Sequence, residues 1–220
     1  HGVLGLAELL LRSELPPTIR GTAEQIVRSA ESLLVILDDI LDFSKVEARQ
    51  LELEDIPFDL DHVLETTVAL YQERANAKAL EFTLDRADDV PRHICGDPGR
   101  LRQVLGNLVS NAVKFTERGS VTLSCRRADD PGPGRVAISF AVCDTGIGMD
   151  ERQVERVFAP SVQADSSTTR RFGGTGLGLA ISRELVTLMN GTLELESRPH
   201  EGSRFAFMIP FRPVPKPEAA

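Results

Sequence analysis

Tryptophan is absent from this 220-residue chain, tyrosine occurs once, at Tyr71, and aromatic residues make up only 5% of the sequence. That excludes the large stacking platforms on which proteins bind bases without sequence preference. Cys95, Cys125 and Cys143 are odd in number and none is spaced Cys-x-x-Cys. A zinc site or a disulfide framework is therefore not expected, and the content fits a reducing cytoplasm. Positive charge is in deficit: 25 Lys and Arg stand against 33 Asp and Glu, a net charge of −8. Nucleic-acid binding rests on neutralising phosphates with basic side chains, so that class of partner is excluded. No apolar run is long enough to span a bilayer and no signal peptide begins the chain, so no membrane contact is expected in this segment, although a longer parent is free to be membrane-anchored. What is present is globular material, 41% hydrophobic and 26% charged, enough for one large or two small domains with a buried core.

Two regions carry different periods. From Ile19 to Ser44 the apolar or small positions Ile19, Ala23, Ile26, Ala30, Leu33, Leu37, Ile40 and Ser44 alternate steps of four and three, a heptad seam. A second row, Val27, Leu34 and Leu41, widens the stripe beyond what one partner helix covers. The opening HGVLGLAELLL is amphipathic in the same way, and SELPPT between them ends one helix at Pro16 and Pro17 and caps the next at Thr18. The expectation is a helical hairpin that doubles into a dimeric four-helix bundle. A hairpin packed on its own downstream domain is the competing arrangement.

Beyond LDFSKVEARQ the period changes. LELEDIPFDL alternates as a strand, and Pro57 with Asp59 introduces a helix through about Ala75. EFTLDR, SVTLSC, RVAISFAVCD, TLELES and SRFAFMIP read as strands, with His93 preceding a short one. Helices fill Pro98–Phe115, 151–157 and 176–189. The fold class is α+β: the hairpin of residues 1–50, then a sandwich over 51–213 with helices on one face of a mixed, mostly antiparallel sheet, and a solvated tail at 214–220.

Three clusters in the second region carry chemistry. In RLRQVLGNLVSNAVKFTERG, Asn107, Asn111 and Lys114 stand at i, i+4 and i+7 of one helix face, opposite an apolar face. Carboxamides and an ammonium so aligned hold a metal by oxygen and a phosphate by charge. A single Asn–Lys pair would be an ordinary polar face. In FAVCDTGIGMD a strand ends in Asp144, and Gly146 and Gly148 allow a tight turn; a carboxylate there can accept from an exocyclic amine such as that of adenine. In RRFGGTGLGLAISREL, Gly173, Gly174, Gly176 and Gly178 run into an apolar helix whose N-terminal N–H groups suit an anion. Neither the dinucleotide fingerprint nor the P-loop pattern fits it. PSVQADSSTTRR, just before, has the small polar composition of a lid over phosphates.

In combination and order, the three clusters resemble the Bergerat-type ATP site of the GHKL superfamily, which includes sensor histidine kinases, type II topoisomerases, Hsp90 and MutL. LDDILDFSKVEARQLELEDIPFDL, DPGRLRQVLGNLVSNAVKFT and QADSSTTRRFGGTGLGLAISREL are similar to sensor histidine kinases of the hybrid-like HisKA class, a resemblance that covers almost the whole chain. It implies that Asn111 coordinates Mg²⁺, that Asp144 recognises adenine with Gly146 and Gly148 in its turn, and that Asn107 and Lys114 contact metal-bound water or phosphates. It also implies that Gly174, Thr175, Gly176, Leu177 and Gly178 lie along the triphosphate of ATP. The implied partners are a second copy of the chain and the receiver domain of a response regulator. One departure is Ser161, after Phe158-Ala159-Pro160, where the family has a phenylalanine that anchors the lid.

His1 is the other point of comparison. HGVLGLAELL matches the end of the phosphoacceptor stretch, two helical turns beyond the acceptor, so the resemblance places the acceptor upstream of the first residue and leaves His1 a helix-surface residue. Two readings from other classes compete with a kinase. An ATP-driven conformational clamp of the topoisomerase, Hsp90 and MutL kind uses a glutamate general base where this chain has Asn107. A non-catalytic dimerisation and docking module would fit Ser161 and a missing acceptor.

Overall fold

Pro16 and Pro17 divide the first helices as expected, with α1 (Gly2–Leu11) ending before them, but α2 (Pro17–Glu47) starts at Pro17, whose fixed φ and missing N–H suit the first helical position, so Thr18 lies inside the helix and is not its cap. The structure, a computed structural model, describes residues 2–13, 15–48, 50–128, 132, 134–159 and 176–214. The chain divides into two units, His1–Gln50 and Leu51–Ala220. In the first, α1 packs along α2, and Arg20 reaches back across the turn to the carbonyls of Leu11 and Ser13 at 3.4 and 3.3 Å. Its buried apolar residues among those described are Ala7 and Ala23, while Ile26, Leu33 and Ile40 remain 42, 56 and 46% exposed. Among the described residues no helix is long and apolar enough to cross a membrane.

The second unit runs β1 (Ile56–Asp59), α3 (Leu60–Ala77), β2 (Glu81–Arg86), β3 (His93–Gly96), α4 (Pro98–Phe115), β4 (Ser120–Arg127), β5 (Val136–Asp144), α5 (Glu151–Arg156), α6 (Gly178–Leu188), β6 (Thr192–Arg198) and β7 (Gly202–Pro213). The sheet order is β1-β3-β7-β5-β4-β2, with β6 also on β7. Among the described strand pairs only β2–β4 is parallel and the others are antiparallel, giving the mixed, mostly antiparallel sheet expected. Register sets the apolar face. Ile138, Phe140 and Val142 stand opposite Ile209, Phe207 and Phe205, and the Phe140 and Phe207 rings stack at 5.0 Å. On this face α3 packs over β2, α4 over β4 and β5, and α6 over β6 and β7. The alternate positions of the strands carry Thr83, Thr122, Ser124 and Ser139, which suit water. The central helix α4 buries Leu101, Val104, Leu105 and Leu108 completely, so its opposite edge is fixed in orientation.

Alternation over 51–60 predicts one strand, yet only Ile56–Asp59 pairs, with β3. The residues before it bond elsewhere: the Glu54 N–H donates to Asp97 Oδ2 at 3.1 Å, and Arg212 Nη2 donates to Asp55 Oδ2 at 2.6 Å. A strand-like pattern is satisfied here by a carboxylate and an ion pair in place of a ladder. β3 starts at His93 itself. The helix expected over 176–189 is shorter at both ends, because Gly176 sits at φ +70° and Met189 serves as the C-cap.

Aspartates start three helices. Asp59, Asp97 and Asp150 accept from His62, Arg100 and Gln153 N–H groups at 3.3, 2.9 and 2.8 Å. Asp97 is 7% exposed and serves both the α4 cap and Glu54. Asp97→Ala should therefore cost about 1–3 kcal/mol in urea unfolding, from a lost cap and a newly unpaired N–H, and Asp97→Asn clearly less. Equal losses for the two variants would show that the acceptor oxygens are not what holds this corner.

Candidate nucleotide site

The polar edge of α4 carries Asn107, Asn111 and Lys114 one above the other, as their spacing requires. Asn107 Nδ2 donates to Ser182 Oγ of α6 at 2.8 Å, and Asn111 Nδ2 donates to Asn107 Oδ1 at 3.4 Å. The Lys114 ammonium lies 4.8 Å from the centroid of the Phe115 ring, and partial burial lowers its pKa below the usual lysine value. Lys78, at the C-cap of α3, donates from Nζ to the carbonyls of Val113, Lys114 and Thr116 at 2.7, 2.9 and 3.1 Å. It thus satisfies the last carbonyls of α4 and places a positive charge at the negative end of the helix dipole.

The turn after β5 is built against that same helix end. Asp144 Oδ1 accepts the Gly146 N–H at 2.8 Å, and burial raises the carboxyl pKa above its ordinary value despite that bond. The Ile147 N–H donates to Phe115 O at 3.3 Å, and the His200 N–H donates to Ile147 O at 2.7 Å. A Cβ on Gly146 would lie 2.5 Å from Phe115 O, so only glycine lets the turn sit this close to α4. Gly148 has φ +63°, and a Cβ there would overlap Arg198 O at the end of β6. The turn is therefore wedged between α4 and the β6–β7 hairpin.

The third part is the start of α6. Its N-cap is Leu177, which has no side-chain acceptor, in contrast to the aspartates at α3, α4 and α5. Among the described residues no side chain caps the first N–H groups of α6, and helix starts of this kind bind anions. At Gly178 a Cβ would stand 2.5 Å from Asn107 Oδ1, so the missing side chain is what lets the α6 N-terminus meet the α4 amide.

The structure thus brings Asn107, Asn111 and Gly178 together, with Leu177 and Gly176 leading into Gly178, and sets Asp144 and Gly146 at the far end of the same helix. Gly148 faces the β6–β7 turn. Gly173, Gly174, Thr175, Ser161 and the lid stretch, like His1, lie outside the described residues. Sequence reasoning missed Ser182, Lys78 and the Phe115 carbonyl. Ser182 was findable as the hydroxyl beside Ile181 in a helix that also buries Ala180, Leu185 and Val186; a backbone carbonyl leaves no trace in sequence. Among the described residues no three His, Cys, Asp or Glu side chains could hold a metal ion. A cation at α4 would rest on the amide oxygen of Asn111 together with the oxygens of a ligand. The donor set fits a hard ion such as Mg²⁺, which keeps few protein ligands and bridges phosphates.

A polar helix edge, a half-buried carboxylate at a strand end and a helix start without a side-chain cap define a nucleotide-binding α/β sandwich. The profile of the histidine kinase-, DNA gyrase B- and HSP90-like ATPases matches residues 96–213, and that of the His Kinase A phospho-acceptor domain matches residues 1–49. Over 209 residues the chain is 46% identical to the signal transduction histidine-protein kinase BarA of Escherichia coli (strain K12), covering 95% of this chain and 23% of that protein. It is 43% identical over 205 residues to the sensor protein GacS of Pseudomonas syringae pv. syringae, covering 93% and 22%. The structure of full-length ShkA in complex with AMPPNP superimposes with a TM-score of 0.79 at 35% identity, over 97% of this chain and 43% of that one. The chain belongs to the histidine kinase-, DNA gyrase B- and HSP90-like ATPase family, with a His Kinase A phospho-acceptor domain ahead of the ATPase domain. It spans less than a quarter of the length of these two curated relatives.

Asp144 has a stability signature. Its folded pKa is raised, so the native state binds its proton more tightly than the unfolded chain, and stability falls as pH rises through the window between the two values. Above that window the charged form carries its full cost. Asp144→Asn, neutral throughout, should unfold at higher urea than the unmutated chain at pH 7, with the gap narrowing towards about pH 3. Parallel pH profiles for the two proteins would contradict the burial of this charge.

Proposed function

We propose that residues 1–50 are the dimerisation and phosphotransfer hairpin, and residues 51–213 the ATP-binding domain, of a cytoplasmic protein-histidine kinase. In this reading a histidine nitrogen attacks the γ-phosphorus of ATP, the bond from that phosphorus to the β,γ-bridging oxygen breaks, and ADP leaves. The phosphoryl group then passes to an aspartate on a response-regulator receiver domain. The observation that carries the reading is the junction of α4: Ser182 and Gly178 of α6 meet it at Asn107, and the Asp144 turn meets it at Phe115.

Each group then has a task. Asp144 accepts the exocyclic amine of adenine, and Gly146 holds the turn close to α4. Asn111 offers its amide oxygen to Mg²⁺, which when bound neutralises charge on the phosphates. Lys114 and the first N–H groups of α6 face phosphate oxygens, so the chemistry is positioning and charge neutralisation. Asn107 argues against the clamp reading. A carboxamide whose Nδ2–H is committed to Ser182 cannot take a proton from water, and a hydrolysing clamp needs a base there.

ATP should bind with Mg²⁺ dependence, and Asn111→Ala should remove most of that dependence in calorimetry while the fold persists. GTP, which presents a carbonyl to Asp144, should bind more weakly by on the order of 2–5 kcal/mol. Equal affinity for the two nucleotides would remove Asp144 from base recognition.

Dimerisation is proposed from the first unit. Among the described residues of the hairpin the buried apolar side chains are Ala7 and Ala23, while Ile26, Leu33 and Ile40 stay about half exposed, and each forfeits roughly 1 kcal/mol of burial. A second copy placed on a two-fold axis covers the same row on both chains. Replacing Leu33 and Ile40 with Asp should give monomers that still bind ATP, and light scattering that finds the unmutated chain monomeric at micromolar concentration would defeat the proposal.

A further inference from the structure

We infer that Ser182 is a positioning residue for the metal ligand: its buried oxygen fixes, through Asn107, which way the Asn111 amide faces. The inference rests on the magnesium reading above. A primary amide has an oxygen on one side and an NH₂ on the other, nearly equal in shape, and only the oxygen can meet a cation. Nothing in the shape of Asn111 selects between them; its hydrogen-bond partner must.

The partner is Asn107 Oδ1, which accepts Asn111 Nδ2 at 3.4 Å and so leaves the Asn111 oxygen as the outward group. Asn107 faces the same ambiguity one step back. It is settled by Ser182 Oγ, which accepts Asn107 Nδ2 at 2.8 Å. A flipped Asn107 would turn its NH₂ towards Asn111, whose NH₂ would then swing out to the cation. In the arrangement we infer, the Ser182 hydroxyl turns its own hydrogen to the carbonyl four residues earlier, as helical serines do, and leaves its oxygen to accept. It is 2% exposed, so water cannot substitute for it. Gly178 completes the arrangement, since any side chain there would displace Asn107 Oδ1. Metal ligands elsewhere depend on such orienting partners, whose loss weakens metal binding 10- to 100-fold.

The test is calorimetry of ATP with Mg²⁺, of ATP with a chelator, and of adenosine, on the unmutated chain, Ser182→Ala, Asn111→Ala and the double variant. Ser182→Ala should lose roughly tenfold of the affinity that Mg²⁺ adds, leaving adenosine and metal-free ATP unchanged. The double variant should be no worse than Asn111→Ala alone, because Ser182 acts only through Asn111. If Ser182→Ala fails to fold, as read from circular dichroism, Ser182→Cys takes its place; its sulfur fills similar space but accepts weakly, and the same pattern is expected. A Ser182 variant that keeps the full Mg²⁺ increment while Asn111→Ala loses it would overturn the inference. So would one that weakens adenosine and metal-free ATP by the same factor, which marks mere structural damage. Asn111→Ala with its Mg²⁺ increment intact would overturn the magnesium reading itself, a separately recognisable failure.

Discussion

The last turn of α4 ends in carbonyls that the helix cannot satisfy, and the placing of the whole site follows from where those groups find donors. Val113, Lys114 and Thr116 take the ammonium of Lys78, which brings the end of α3 to this point. The carbonyl of Phe115 takes the Ile147 N–H, which brings the turn after β5 to the same point. Buried backbone acceptors are nearly always paired, so these bonds are obligations before they are functional devices. They nevertheless hold the Asp144 turn at the C-terminal end of α4, a fixed distance along one helix from Asn107, where Gly178 and Ser182 of α6 meet it. The two meeting points are thus spaced by helix geometry, which is stiffer than any loop.

Around that rigid element the unit accepts local costs. Asp144 is a carboxylate whose burial raises its pKa, Lys114 an ammonium whose burial lowers it, and α6 starts without a side-chain cap although three other helices of the unit have aspartates. Each is unfavourable in the isolated protein and favourable opposite a ligand with the complementary group: an amine donor, an anion, an anion again. Such sites are where local consistency is expected to fail, and the fully buried apolar side of α4 supplies the stability that offsets them.

The sequence is legible wherever one residue type has one physical use. The extents of β2 and α4, the heptad of α2 and the antiparallel character of the sheet follow from period and turn residues. The three site clusters stand out because glycine and asparagine recur where an ordinary helix would have alanine or glutamate. The alternating run before Ile56 was over-read as strand because period reports which side chains face inward and says nothing of what the N–H groups bond. Glu54 bonds a carboxylate 43 residues away, and no local pattern encodes that. Ser182 went unnoticed for a related reason: a single hydroxyl in an apolar helix acquires meaning only when its neighbour in space is known to be an amide with two faces.

Among the described residues of the first unit, the buried apolar side chains are Ala7 and Ala23. Burial on that scale is small against the entropy of ordering a helix of 31 residues, so in our reading the folded state of this unit belongs to what covers the exposed row. In the dimer we propose, that makes folding of this unit bimolecular, with a midpoint that moves with protein concentration, while the ATP-binding unit folds around a core contained within one chain. The same polypeptide then obeys two laws of mass action. Dilution separates them: it unravels the helices and leaves the nucleotide domain intact, and no single unfolding free energy describes the whole chain.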